Sequence, residues 1–211
     1  MEQQVEFDPR LKHPFTCMVV GPTQCGKTQF VLELICRSRY IYPPPERIVW
    51  CFGCYQDLFR NVDNVEFVEG VPDMKILDGG KKRTLLIIDD LMSETDARVT
   101  KIFTKGSHHL NCSVVYISQN LFNKSKENRN ICLNTHYLVL FKNPRDSAQV
   151  THLGRQIFPD AIKYFKESFT DATSLPYGYL LIDLRTTTPD LLRLRTNIFS
   201  DNRTVVYVRR L

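Results

Sequence analysis

Residues 21–28 run Gly21-Pro22-Thr23-Gln24-Cys25-Gly26-Lys27-Thr28 and satisfy G-x-x-x-x-G-K-[ST] at every fixed place. An apolar run at 16–20 precedes them. Behind them, residues 29–37 carry Phe30, Val31, Leu34 and Ile35 at helical spacing. The local fold is therefore constrained to strand, tight glycine turn and helix. Gly21 and Gly26 let the backbone turn so closely that successive N–H groups converge, and the positive end of the helix dipole adds to them. Such a cradle suits a chain of phosphate groups. Pro22, Thr23, Gln24 and Cys25 complete it, Lys27 reaches the β- and γ-phosphates of ATP, and the Thr28 hydroxyl is placed for the Mg²⁺ that bridges them.

About sixty residues on, Leu85-Leu86-Ile87-Ile88 runs into Asp89-Asp90. A continuous apolar run suits a strand buried on both faces of a parallel sheet, and ligands bind at the carboxyl end of such strands. This is the form of a Walker B strand. Asp89 is expected beside the Mg²⁺ site, holding a metal-bound water, and Asp90 is expected to polarise the water that attacks the γ-phosphate.

Further apolar runs lie at 47–52, 65–68, 113–118, 136–141 and 177–183, mostly separated by stretches with helical patterning at 95–105, 146–156 and 160–172. That alternation predicts an α/β fold, with a mostly parallel central sheet between two layers of helices. Tyr42-Pro43-Pro44-Pro45 cannot continue a helix and marks the crossing to the second strand. The run 113–118 ends in Gln119-Asn120. An amide at the tip of a strand beside Walker B can hydrogen-bond the attacking water or the γ-phosphate, a sensor role for Gln119, although the same pair also forms turns.

The length of 211 residues suits one domain and is short for two. The expected organisation is a single P-loop ATPase domain over 1–211, with an N-terminal extension at 1–13 and an edge hairpin or tail at 186–211. No stretch approaches ~20 apolar residues, and residues 1–12 are polar, so neither a membrane partner nor secretion is expected. Seven cysteines without a leader read as reduced thiols. Cys51 and Cys54 form a lone C-x-x-C, which His108, His109 and Cys112 could extend toward zinc, but no second matching spacing exists. Net charge is +5, with 28 Lys plus Arg against 23 Asp plus Glu, too small to establish nucleic-acid binding. The local groups Lys81-Lys82-Arg83, Lys101 with Lys105, Lys124-Lys126-Arg129 and Arg203-Arg209-Arg210 could each meet a phosphate backbone or form a solvated face.

Residues 21–28, 85–92, 103–109, 117–122 and 137–146, taken in order, resemble a viral genome-packaging ATPase of the FtsK/HerA superfamily. The resemblance is to its poxvirus-type branch, found also in Polinton and adintovirus elements, and it spans roughly residues 14–199. It implies a RecA-like (ASCE) three-layer core and a homo-oligomeric ring that hydrolyses ATP between subunits. It also implies that the ring drives double-stranded DNA into a capsid, with capsid or portal components as partners, inside the cell, in the nucleus or at a cytoplasmic assembly site. One departure concerns Asp90, where the superfamily commonly has Glu; either the water sits closer to the strand or Glu94 contributes. Ring ATPases complete the site with an arginine from a neighbour, for which Arg129, Arg145 and Arg155 are candidates. Candidate DNA contacts are Lys124 and Lys126 with Phe122 beyond the sensor, and Lys105, His108 and His109 before its strand.

A nucleoside or nucleotide kinase would share the phosphate loop but needs an acceptor pocket and usually an arginine-bearing lid, and no lid segment is evident. A signalling GTPase is disfavoured, because Asn143-Pro144-Arg145-Asp146 lacks the lysine of the base-reading motif. A nucleotide-dependent scaffold follows if Asp90 fails as a base.

Overall fold

The apolar runs assemble into one extended sheet, seen in a computed structural model that describes residues 8–89, 97–106, 110–122, 126–200 and 203–209. The chain opens with β1 (Leu11–Lys12) and β2 (Thr16–Val20), then helix α1 (Lys27–Cys36) and β3 (Ile41–Tyr42). Next come β4 (Arg47–Phe52), β5 (Glu66–Glu69), β6 (Thr84–Asp89), α2 (Ala97–Lys101) and β7 (Cys112–Ser118). They are followed by α3 (Lys126–Leu133), β8 (Tyr137–Phe141), α4 (Ser147–Ile157) and α5 (Ile162–Ala172). The chain finishes with β9 (Tyr179–Asp183), β10 (Leu194–Thr196) and β11 (Val205–Tyr207).

The sheet order is β11-β10-β9-β8-β2-β7-β6-β4-β5. From β8 to β5 every pairing is parallel, whereas β9, β10 and β11 extend the β8 edge in antiparallel fashion. Thus β7, later in sequence than both, is inserted between β2 and β6. The short pair β1–β3 lies apart from this sheet.

Strand alternation divides the core into two layers, as a pleat of period 2 requires. Cys17, Val19, Leu85, Ile87, Val115, Ile117 and Val139 meet Phe30, Val31, Leu34 and Ile35 of α1 on one face. On the other face, Met18, Val20, Leu86, Ile88, Val114, Tyr116, Leu138 and Leu140 meet Val99 of α2, Ile131 of α3, Leu153 of α4 and Phe165 of α5. Helices therefore cover both faces, the α/β sandwich that the alternation predicted.

Three elements depart from expectation. Within the helix foreseen at 95–105, whose first two residues lie outside the described ones, Ala97–Lys101 is α-helical and the backbone continues as π-helix through Ile102–Gly106. The strand foreseen at 177–183 begins at Tyr179, because Pro176 and Tyr177 form a turn. Helix α3 escaped notice, since its sequence opens Lys-Glu-Asn-Arg-Asn, polar over five residues, before Ile131 and Cys132 pack against the sheet.

At the amino edge of the parallel strands, Asp183 faces Tyr137 across the β8–β9 pair. Arg195, fully buried, donates to Asp183 Oδ2 at 2.8 Å and to the Pro9 carbonyl at 3.0 Å. Arg185 forks onto the same carboxylate at 3.0 and 2.8 Å, its guanidinium 4.9 Å from the Tyr137 ring centre. The Tyr137 hydroxyl accepts from the Lys12 amide at 3.0 Å, tying the N-terminal segment to β8. Burial, aided by Asp183, pushes the Tyr137 phenol well above its ordinary range. Asp183→Ala leaves the Arg195 charge buried without its carboxylate, and a stability loss of about 3–5 kcal/mol is expected in urea unfolding.

Candidate phosphate-binding site

The loop between β2 and α1 is held by its own backbone and by two neighbouring strands. The Gly21 amide donates to the Ser118 carbonyl of β7 at 3.3 Å, so the turn leaves the sheet one residue past Val20. A Cβ on Gly21 would stand 2.6 Å from Cys25 Sγ and 2.7 Å from Phe141 Cβ, which only glycine avoids. Gly26 caps α1 at φ +110°, a conformation glycine adopts readily. Gln24 also has positive φ, +65°. The Lys27 ammonium spans the loop, donating to the Gly21 carbonyl at 2.7 Å and the Pro22 carbonyl at 2.8 Å. Burial pushes the Cys25 thiol up despite the pull of Lys27, which leaves a packing group rather than a thiolate.

Asp89 is the last residue of β6 and is 4% exposed. Alternation sets its side chain on the same face as Leu85 and Ile87, the face that α1 covers. It is level with Ile117 of β7, itself level with Val19 of β2. With strands spaced at about 4.8 Å, the acidic residue stands roughly 10 Å to one side of the loop's strand. Thr28, in the first turn of α1, is half-buried on that same face. A hydroxyl and a carboxylate are hard oxygen donors, so this set fits Mg²⁺. Among the described residues there is no group of three or more His, Cys, Asp or Glu disposed to hold a metal. Cys51 and Cys112 are buried in apolar surroundings, each pushed up to about 12 by burial, unlike the thiolates of a zinc site.

Gln119, exposed just past β7, lines a cleft of about 600 Å³ with Pro22, Thr23, Asn120, Asn143, Pro144, Arg145 and Asp146. The tips of β2, β7 and β8 thus share one opening. Its floor is braced by Gln149, which sequence reading missed. The Gln149 side chain accepts from the Leu121 and Phe122 amides at 3.0 and 3.2 Å and donates to Asp146 Oδ2. Asp146 in turn caps α4 by accepting from the Gln149 amide. The available signal was Asp146-x-x-Gln149, the spacing of a capping box.

Of the three arginine candidates, Arg145 lines the cleft of its own chain, while Arg129 and Arg155 are exposed on α3 and α4, across the sheet from α1. Phe122 is half-buried, its ring 5.4 Å from His152. Asp90, Glu94, His108, His109 and Lys124 lie outside the described residues. Lys105 falls in the π-helical segment and Lys126 opens α3; their backbone positions alone are described. No described helix is long and apolar enough to cross a membrane.

No protein-family profile matches this chain, and no curated protein matches its sequence. Solved structures do match. The genome packaging NTPase B204 from Sulfolobus turreted icosahedral virus 2, in complex with ATPγS, superposes with a TM-score of 0.53 at 15% identity, over 83% of this chain and 94% of that one. The same protein in complex with AMPPCP gives 0.53 at 12% identity, over 94% and 98%. The chain accordingly shares with that viral packaging NTPase an α/β sandwich built on a mostly parallel central sheet, the RecA-like architecture. Within that fold Gly26→Ala forces a Cβ into positive φ and against Tyr177 and Phe141, at 3.1 and 3.3 Å. A stability loss of about 1–2 kcal/mol is expected in thermal unfolding.

Proposed function

We propose that this chain is a Mg²⁺-dependent ATPase that acts, as a single domain over 1–211, in a homo-oligomeric ring to drive double-stranded DNA into a viral capsid. The observation that carries the reading is the insertion of β7 between β2 and β6, with Gln119 at its tip opening on the cleft beside Pro22 and Thr23. A strand so inserted sets a polar amide between the phosphate loop and the acidic strand, where a γ-phosphate and its attacking water belong. Lys27 has three N–H donors, two of them on loop carbonyls, and exchanges these for phosphate oxygens when nucleotide binds. Thr28 and Asp89 would hold the cation, which would supply positive charge to offset that of the phosphates. Asp90 takes a proton from water. Gln119 orients that water.

Arg145, in its own chain's cleft, suits phosphate contact within the subunit, which leaves Arg129 and Arg155 as the donors to a neighbour. The FtsK/HerA and Polinton-type affiliation, the capsid or portal partners and an intracellular viral assembly site belong to this same reading, supported by the order of motifs. The kinase reading stays second, since the cleft beside the phosphate loop is also where a phosphate acceptor would enter.

Lys27→Ala should weaken ATP binding roughly 10- to 100-fold, the reach of charge-assisted hydrogen bonds, and lower turnover with it. Calorimetric titration checks this; unchanged affinity removes the assigned role. Asp90→Asn should keep ATP affinity while hydrolysis falls by about 10²-fold or more. If Glu94→Gln is the inactive variant instead, Glu94 is the base.

The ring reading makes a separate demand. The ATPase rate per subunit should rise with protein concentration and with duplex DNA, and DNA affinity should fall steeply with added salt as condensed counterions are released. A mixture of inactive Asp90→Asn with an inactive Arg129→Ala or Arg155→Ala variant should recover hydrolysis, since a mixed interface combines an intact base with an intact arginine. A rate per subunit that stays constant down to the monomer, without complementation, favours the kinase.

A further inference from the structure

We propose that Tyr177 is the platform on which the base of a bound nucleoside triphosphate stacks, a base subsite at the end of the cleft remote from Asp89. The inference rests on the nucleotide reading above. Leu175-Pro176-Tyr177-Gly178 is a tight turn closed by the Gly178 amide donating to the Leu175 carbonyl at 3.1 Å. Proline second and a positive φ third is the pattern of a type II turn, whose third place favours glycine or asparagine. Here that place holds Tyr177, at φ +62°. The turn's glycine is fixed elsewhere, because a Cβ on Gly178 would stand 2.5 Å from the Ala172 carbonyl oxygen.

A tyrosine in a glycine-favouring place is strained, and local packing does not account for it. The side chain is 70% exposed. Among the described residues its ring meets no other aromatic ring and its hydroxyl makes no hydrogen bond. What the ring does touch is the phosphate loop, where a Cβ on Gly26 would lie 3.1 Å from Tyr177 Cδ1. Strain held at the rim of a site, with no structural return, points to a ligand.

Strand order supplies the direction. Asp89 ends β6, two strands to one side of β2, and Tyr177 precedes β9, two strands to the other. A triphosphate on the loop, with its metal-bound end toward Asp89, carries its base toward β8 and β9. Tyr177 waits there with an open face. Stacking on one ring accepts any base, so the subsite serves nucleoside triphosphates in general rather than ATP alone.

The test is calorimetric titration of the full chain with Mg²⁺ and three probes: ATP, GTP and inorganic tripolyphosphate, which has no base. Tyr177→Ala and Tyr177→Gly should each bind ATP and GTP roughly tenfold more weakly, while Tyr177→Phe stays within about twofold of the parent and tripolyphosphate binds all four chains alike. Because glycine adopts φ +62° freely, the thermal midpoint of Tyr177→Gly should be held or raised while its ATP affinity falls, which separates stacking from folding. Undiminished ATP affinity in Tyr177→Ala and Tyr177→Gly overturns the platform, and so does an equal loss for tripolyphosphate. A parent chain that binds neither ATP nor tripolyphosphate overturns the nucleotide reading itself, and the base subsite with it.

Discussion

The carboxyl edge of the sheet depends on how closely the loop at 21–28 lies against one side chain, Phe141. Its Cβ is 2.7 Å from where a Cβ on Gly21 would be, and its Cε1 is 3.3 Å from the corresponding point on Gly26. Phe141 is buried at the end of β8, with ring centres of Phe30 and Tyr179 at 6.5 and 5.9 Å. A single aromatic therefore props both glycines of the loop against the sheet and joins them to the first turn of α1 through Phe30. Two glycines can be packed this tightly because neither has a Cβ, and the loop's N–H groups are thereby aimed without help from long side chains. Lys27 and Thr28 inherit their positions from that contact.

Much of this was legible from residue order alone, and the reason is physical. The runs at 16–20 and 84–89 are buried on both faces, and that at 47–52 over Val49, Trp50 and Cys51, so continuous hydrophobicity marks their centres, and the strands β2, β4 and β6 fall on those residues. The turn at 21–28 was legible because its geometry needs glycine at 21 and 26. Spatial order was less accessible. That the 113–118 strand lies beside β6 was expected, but its second pairing, with β2 on the other side, follows from contacts between distant residues, as Met18 with Tyr116, and no local pattern encodes it. The direction of β9 was equally hidden, because Leu180, Leu181 and Ile182 are buried whichever way the strand runs.

Helix α3 and the turn at Tyr177 show two different failures of local reading. In α3 a polar opening is followed by Ile131 and Cys132, which pack against the sheet, so helicity draws on tertiary contact and periodicity carries little of the signal. At Tyr177 an aromatic before a run of Tyr, Leu, Leu and Ile reads as the start of a strand. The preceding proline and the following glycine were the contrary evidence, a turn signature that hydrophobicity masked.

The two ends of the parallel strands are built on opposite terms. At the amino edge, Asp183 is shared by Arg185 and Arg195, and Tyr137 and Pro9 take up further donors, so buried charge is matched to partners at 2.8–3.0 Å. A carboxylate that deeply placed is tolerated because both of its oxygens accept from guanidinium donors. At the carboxyl edge the backbone departs from ordinary conformations at Gln24, Gly26 and Tyr177, and polar side chains such as Gln119 and Arg145 stand open to solvent. It is at this edge that the loop at 21–28, the tip of β7 and the turn before β9 stand side by side, so the strained tyrosine and the open polar side chains border the same glycine turn.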